Sequence, residues 1–174
     1  MDGLLDKISS YNIFNYLLPG SLFAVIADAV TDYRFIQEDI IVGLFLYYFI
    51  GLVVSRIGSL VIEPVLKAVR FVTFVDYRKF VEASKADSKI DVLSETNNMY
   101  RTLCALFLLL LLVVLFDKFA PLLPWLVDAV PYITGVALLV MFLFAYRKQT
   151  AYIVGRVNKV VDGEQPRTDG EETR

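Results

Sequence analysis

The chain has 174 residues, of which 57% are apolar, and its mean hydropathy is +0.59, whereas a soluble domain is about 45–50% apolar. This excess excludes an ordinary soluble domain and predicts an all-α integral membrane bundle, because lipid obliges backbone groups to find partners within their own segment. The net charge of −2 argues against a nucleic-acid partner, and the absence of histidine removes the commonest metal ligand and neutral-pH proton shuttle.

Four apolar segments follow one another along the chain, each close to the roughly 20 residues that cross a bilayer core. We predict four transmembrane helices, at about 11–30, 40–62, 99–120 and 132–152. The first segment is the most diluted, since it contains Asn12, Asn15 and Asp28. These helices define a membrane domain at 1–157, and the polar tail at 158–174 is predicted to be disordered.

The segments between the predicted spans differ in length and character. The outer connections are short, and Trp125, among three prolines in the second of them, is typical of an interfacial anchor. The inner connection, at about 65–100, is the longest. Its first half has apolar residues at helical spacing with basic residues between them, which predicts an amphipathic helix that extends span two along the inner leaflet.

Basic residues set the predicted orientation. Fifteen of the seventeen lysines and arginines fall on one side of the four spans, and only Arg34 and Lys118 fall on the other. The positive-inside rule then places both termini and the long loop on the cytoplasmic side of the membrane. The same bias supports the first span, since without it either Lys7 or the basic loop would lie outside.

Two charged residues inside apolar runs are candidates for a site. Arg56 lies sixteen residues after Ile40, or about 24 Å along a helix. Our preferred interpretation is that it marks the inner boundary and reaches the headgroups; the alternative is that it faces the bundle beside Asn12 and Asn15. Asp28 is either an ion-path residue or an outer-interface residue, and the second is preferred.

Small residues on span two form a stripe that favours close helix packing, since lipid tails give helices no hydrophobic drive to associate. The stripe consists of Gly43, Gly51, Ser55 and Ser59. The alternative is a chance spacing, and the partner, another span or another copy, stays open. Beyond the stripe, Glu63 is spaced to pair with Lys67 at i+4, and Pro64 to kink or turn the helix.

No catalytic or metal motif is present. The sequence has no H-E-x-x-H, G-x-S-x-G or P-loop lysine pattern, so we predict a protein that is not an enzyme, without cofactor or metal. Asp87, Asp91 and Glu95 would share a helix face, but the lysines between them are typical of a solvated face. The lone Cys104 excludes a disulfide within one chain.

Three blocks carry a family resemblance: YNIFNYLLPG, YFIGLVVSRIGSLVIEP and FVEASKADSKIDVLSETNNMYRTL. They resemble a loosely defined group of small, uncharacterised bacterial four-span inner-membrane proteins, some of them encoded beside phage-defence genes. The resemblance covers most of the chain. It implies a bacterial inner-membrane location, and it supplies neither an activity nor functional residues.

Three classes of function remain open at this level. The first is an oligomeric, signal-responsive sensor or effector, with the 65–100 loop taking the input and membrane permeabilisation or phage defence as an output. The second is a small transporter or channel subunit lined by Asp28, Arg56 and the two asparagines. The third is a scaffold that holds a cytoplasmic protein partner through the loop. All three have the lipid bilayer as a partner and are compatible with self-association.

Overall fold

The computed structural model describes the backbone of residues 2–164 and the side chains of residues 14–77 and 79–158. All regular structure in this part of the chain is helical. The elements are α1 (Asp2–Val30), α2 (Ile40–Ile57), a π-helical segment (Gly58–Ile62), α3 (Glu63–Ala68), α4 (Tyr77–Ala86), α5 (Lys89–Phe119), a 3₁₀ turn (Ala120–Leu122) and α6 (Pro124–Glu164).

Within the described residues, three helical stretches are long and apolar enough to cross a membrane: Ile40–Ala68, Lys89–Leu122 and Pro124–Asn158. Phe14–Val30, in α1, is a shorter apolar helix. The all-helical architecture predicted from composition is therefore confirmed, and the three long helices are those of a multi-pass membrane protein. The described helices also run beyond the predicted spans, since α5 begins at Lys89 and α6 continues to Glu164.

Helices α1 and α2 come into backbone contact at two glycines, where no side chain would fit. A β-carbon on Gly20 would lie 1.7 Å from the carbonyl oxygen of Tyr47, and one on Gly51 would lie 1.7 Å from that of Tyr16. Both obstacles are main-chain atoms, which cannot rotate away. Glycine is therefore required at these two positions, and the resulting backbone contact fixes α1 against α2.

The core is formed by α1, α2 and α5. Its buried members are Phe23, Ala27, Val54, Ala105, Leu106 and Leu110, and Leu106 is completely inaccessible. Helix α6 lies at the side of this three-helix unit: none of its most apolar window is buried. It meets α2 where the rings of Phe49 and Phe142 lie 6.2 Å apart. A large apolar surface of α6 is thus left uncovered within one chain.

The inner loop differs from the continuous amphipathic helix expected after span two. Helix α3 ends at Ala68 because the chain closes it with two hydrogen bonds, from the amide of Phe71 to the Leu66 carbonyl (2.9 Å) and from that of Arg70 to the Lys67 carbonyl (3.0 Å). This ending needs a left-handed residue, and Arg70 takes that place with φ of 57°.

The chain becomes helical again only at α4, whose Val81 is buried. Between α3 and α4 the run from Phe71 to Val75 contains β-branched and aromatic residues, which favour an extended backbone. Residues 165–174, most of the tail predicted to be disordered, lie outside the described residues.

Candidate functional site

The candidate site is centred on Glu63, the first residue of α3, whose side chain is 9% exposed. An isolated carboxylate is strongly disfavoured in such a place, so it must be paired. Lys67 Nζ lies 2.8 Å from Glu63 Oε1, and Lys148 Nζ lies 3.6 Å from the same oxygen. Arg101 Nη1 donates to Glu63 Oε2. We call these four residues the Glu63 cluster.

The cluster joins three helices. Lys67 comes from α3 itself, and it provides the i+4 partner that the sequence predicts for Glu63. Arg101 is on α5 and Lys148 is on α6, so the carboxylate joins parts of the chain that are far apart in sequence. Removing one member of such a buried network leaves unpaired charge, which is why these groups are expected to act as a unit.

The π-helical segment before Glu63 exposes a backbone acceptor. In an α-helix the Ser59 carbonyl would accept from the amide of residue 63, but that amide bonds to Gly58 instead. In the π register the donor would be residue 64, which is a proline and has no N–H. Lys148 Nζ fills the vacancy, lying 2.8 Å from both the carbonyl oxygen and the Oγ of Ser59.

Arg101 reaches the cluster because a glycine lies opposite it. A β-carbon on Gly58 would come within 3.2 Å of the Arg101 carbonyl oxygen, so a side chain there would push α5 outward. The other end of Arg101 is less well satisfied. Its Nε is buried and has no hydrogen-bond partner among the described residues. One donor of this guanidinium is therefore left unsatisfied.

A cavity of about 570 Å³ opens beside the cluster, and we call it the inner cavity. Its charged lining residues are Arg56, Glu63, Lys67 and Arg101, and its aromatic lining residues are Phe74, Tyr77, Phe80 and Tyr152. The rings of Tyr77 and Tyr152 lie 5.9 Å apart, so they join α4 to α6 at its edge. The cavity is thus a partly open cleft between the long helices on one side and the inner loop on the other.

A second cavity, of about 210 Å³, adjoins the first and shares Arg56, Ser59, Asn98 and Arg101 with it. Asn15 also lines this smaller space. The structure therefore brings together two of the predicted polar residues, Arg56 and Asn15. Arg56 Nη2 donates to Tyr16 Oη over 3.5 Å, which is a long, weak hydrogen bond.

The other predicted site residues are divided between packing and polar roles. Gly51 lies in the α1–α2 contact described above, whereas Ser55 and Ser59 line the smaller cavity. Gly43 is buried, and the nearest obstacle to a β-carbon there is the Tyr47 ring on its own helix, at 3.3 Å. The side chain of Asn12 lies outside the described residues.

Asp28 is located at the opposite end of the α1–α2 pair from Arg56. Its Oδ1 accepts hydrogen bonds from the amides of Phe35 (2.8 Å) and Ile36 (3.2 Å). These bonds hold the α1–α2 connection against the end of α1. The structure therefore does not bring Asp28 and Arg56 together, and it gives Asp28 backbone partners instead of a charged side chain.

The Asp28 end also carries an aromatic contact and the predicted anchor. Tyr33 stacks on Phe116, with ring centroids 6.4 Å apart. Partial desolvation raises the pKa of the Tyr33 phenol, and the carboxylates of Asp117 and Asp32 raise it further. Trp125 is 67% exposed in the first turn of α6.

Sequence reasoning missed Arg101 and Lys148 as site residues. The positive-inside pattern accounts for both residues without any partner, because each lies near the predicted cytoplasmic end of a span. One signal was available: Glu63 is the only acid between Asp39 and Asp76, and an acid at the end of an apolar helix needs cations from elsewhere.

No family model, curated protein or solved structure matches this chain. The described residues also contain no group of three or more His, Cys, Asp or Glu side chains arranged to hold a metal ion. The chemistry of the site is therefore argued from its own cations, carboxylate and aromatic rings.

Proposed function

We propose that this chain is a four-span protein of the bacterial inner membrane, with both termini in the cytoplasm, that acts as a non-enzymatic, signal-responsive sensor or effector. The fourth crossing is α1. Its Phe23, Ala24 and Ala27 are buried against membrane helices, and it runs antiparallel to α2 between the Arg56 end and the Asp28 end. A helix that spans the same depth as its neighbour is expected to cross the bilayer with it.

The observation that carries the sensor proposal is the inner cavity. Its lining comes from α2, α3, the connection after α3, α4, α5 and α6. A ligand held there would contact the loop and three long helices at once. Binding energy that differs between two arrangements of these elements would shift the balance between them, which is the physical requirement of a sensor.

The middle of the bundle favours this proposal over transport through a single chain. Between the Asp28 end and the Glu63 end lies the apolar core, where Val54 and Leu106 are 1% and 0% exposed. The polar residues are therefore divided into two groups separated by a packed layer. A sensor needs only the inner group, whereas a transport path would need to connect both.

Self-association is part of the proposal, and α6 supports it. Because none of its most apolar window is buried within one chain, α6 offers a continuous surface to lipid or to a second copy. An effector that permeabilises the membrane would need several copies around a common axis, with such a face turned toward its neighbours.

Topology can be tested with single cysteines in a Cys104→Ser background. We expect Lys85→Cys to react with an impermeant maleimide only from the cytoplasmic side, and Asp128→Cys only from the outside. Labelling of Lys85→Cys from the outside would overturn the orientation, and labelling of Gln37→Cys from the cytoplasm would overturn the first crossing.

The sensor proposal can be tested by fixing the loop to the spans. Tyr77→Cys and Tyr152→Cys, joined by a short bifunctional thiol reagent, would lock α4 onto α6. We expect the lock to suppress dye entry into cells that overproduce the protein, while either cysteine alone, treated in the same way, does not. Dye entry that is equal in the locked and the unlocked protein would contradict the proposal.

A further inference from the structure

We propose that the inner cavity binds a phosphate group carried by a molecule with an apolar or aromatic body. The inference rests on the proposed function, in that it names the ligand class of the sensor cavity. The ligand has two sources with the same chemistry: the headgroup of an inner-leaflet lipid or a soluble cytoplasmic phosphate compound.

The cations of the cavity are not fully used by the protein. Arg56, Lys67 and Arg101 line it, and Glu63 is the one acidic residue among the side chains that do so. Arg56 makes no ion pair with any described side chain, and its hydrogen bond to the Tyr16 hydroxyl is long, at 3.5 Å. A guanidinium with donors to spare is suited to a phosphate, whose oxygens accept paired N–H bonds.

The charge balance favours phosphate over a simple carboxylate. With three cations and one acid, the lining of the cavity has a net positive charge of two. A phosphate monoester carries about −1.5 to −2 at neutral pH and would come close to neutralising it, while a single carboxylate would leave about half of the positive charge unbalanced.

Glu63 competes with the proposed phosphate for the same cations. It occupies Arg101 and Lys67 when no ligand is bound, so a phosphate has to share both cations with the carboxylate. Removing the negative charge of Glu63 should therefore strengthen phosphate binding, even as it weakens the helix junction. This opposite effect on binding and stability distinguishes a competing anion from a residue that only supports the fold.

The body of the ligand is indicated by the remaining walls. At about 570 Å³ the cavity is larger than a phosphate group needs and lies in the range of small-molecule sites. Phe74, Tyr77 and Tyr152 line the side toward the loop, and Lys67 Nζ lies 4.1 Å above the Phe74 ring. These rings would contact an acyl chain, a glycerol or a base attached to the phosphate.

The test uses the full chain in maltoside micelles, which contain no phosphate. Probes are inorganic phosphate and AMP, followed by ³¹P line broadening, and short-chain phosphatidic acid, followed by native mass spectrometry. Acetate at matched ionic strength is the competitor. We expect at least one phosphate probe to bind, and acetate not to displace it at equal concentration.

Three variants sharpen the result. Arg56→Met should weaken binding about tenfold, because one charged hydrogen-bonding group is lost. Arg147→Met removes the same charge from an exposed position on α6 and should bind as the wild type does. Glu63→Gln should bind several-fold more tightly. Folding of Arg56→Met is judged by size-exclusion elution and helix content. If it does not fold, the comparison of phosphate binding between Glu63→Gln and the wild type still tests the inference.

Binding of phosphatidic acid alone identifies a lipid headgroup, binding of AMP or inorganic phosphate alone identifies a soluble ligand, and binding of both supports the shared phosphate chemistry. Binding of none, equal displacement by acetate, or equal losses in Arg56→Met and Arg147→Met would overturn the inference. Those results leave the topology and loop-locking tests untouched, so the two proposals fail separately.

Discussion

Asp28 at one end of the helix bundle and Glu63 at the other are both well-satisfied carboxylates, and their partners differ in kind. Asp28 accepts from backbone amides seven and eight residues away in sequence. Glu63 is held by cationic side chains, two of which come from α5 and α6. A backbone partner is local and cannot be replaced by mutation, whereas side-chain partners can separate. The Asp28 end is therefore built as a fixed turn, and the Glu63 end as a junction of side chains from several helices, which under the proposed function is the end that responds to a ligand.

The largest expected effect comes from removing the inner carboxylate. Glu63→Leu leaves three cations close together without their shared acid, and we expect a loss of about 3–5 kcal/mol in the free energy of unfolding. An SDS titration of the detergent-solubilised protein measures it. Glu95→Gln, which lines only the smaller cavity, is the control. A loss below about 1 kcal/mol in Glu63→Leu would show that the junction does not hold the helices together.

The next largest loss of stability is expected from disrupting the backbone contact between α1 and α2, which connects the Asp28 end to the Glu63 end. Gly51→Ala places a β-carbon against the Tyr16 carbonyl, and we expect a loss of about 3 kcal/mol. Gly135→Ala meets nothing within 4 Å and should be neutral or stabilising by up to about 1 kcal/mol. Equal unfolding midpoints for the two variants would contradict the close backbone contact.

Removing the outer carboxylate should cost less than removing the inner one. Asp28→Leu leaves two amides without an acceptor, which predicts a loss of about 2 kcal/mol. Asp28→Asn keeps an oxygen acceptor and should recover most of that loss. If Asp28→Asn were as damaging as Asp28→Leu, the negative charge rather than the acceptor would be what matters, and the contrast between the two ends would weaken.

The smallest expected effect lies in the inner loop and has the opposite sign. Arg70 has a left-handed backbone, which is unfavourable for a residue with a side chain. Arg70→Gly should therefore stabilise the protein by about 1 kcal/mol. Lys79→Gly, inside α4, is the control and should destabilise it by a similar amount. A destabilised Arg70→Gly would mean that the guanidinium makes a contact worth more than the strain.

Helix content and the position of the apolar helices were predictable because both follow from local composition. Glu63 with Lys67 was also predictable, since four residues along a helix set their separation. Arg101 and Lys148 were not, because their approach to Glu63 depends on how α5 and α6 dock. The break after Ala68 was missed for another reason: the helical spacing of apolar residues continues through 69–76, while the left-handed residue that ends α3 is an arginine and gives no glycine signal.

The carbonyl of Ser59, left without an amide donor by Pro64, has one more consequence. One of the two acceptors of Lys148 Nζ is a main-chain oxygen. Replacing Ser59 by alanine therefore removes the bond to the hydroxyl and keeps the bond to the carbonyl oxygen. Only a residue at 64 that brings its own N–H, as in Pro64→Ala, could compete for that oxygen and let the last long helix swing away from its neighbours.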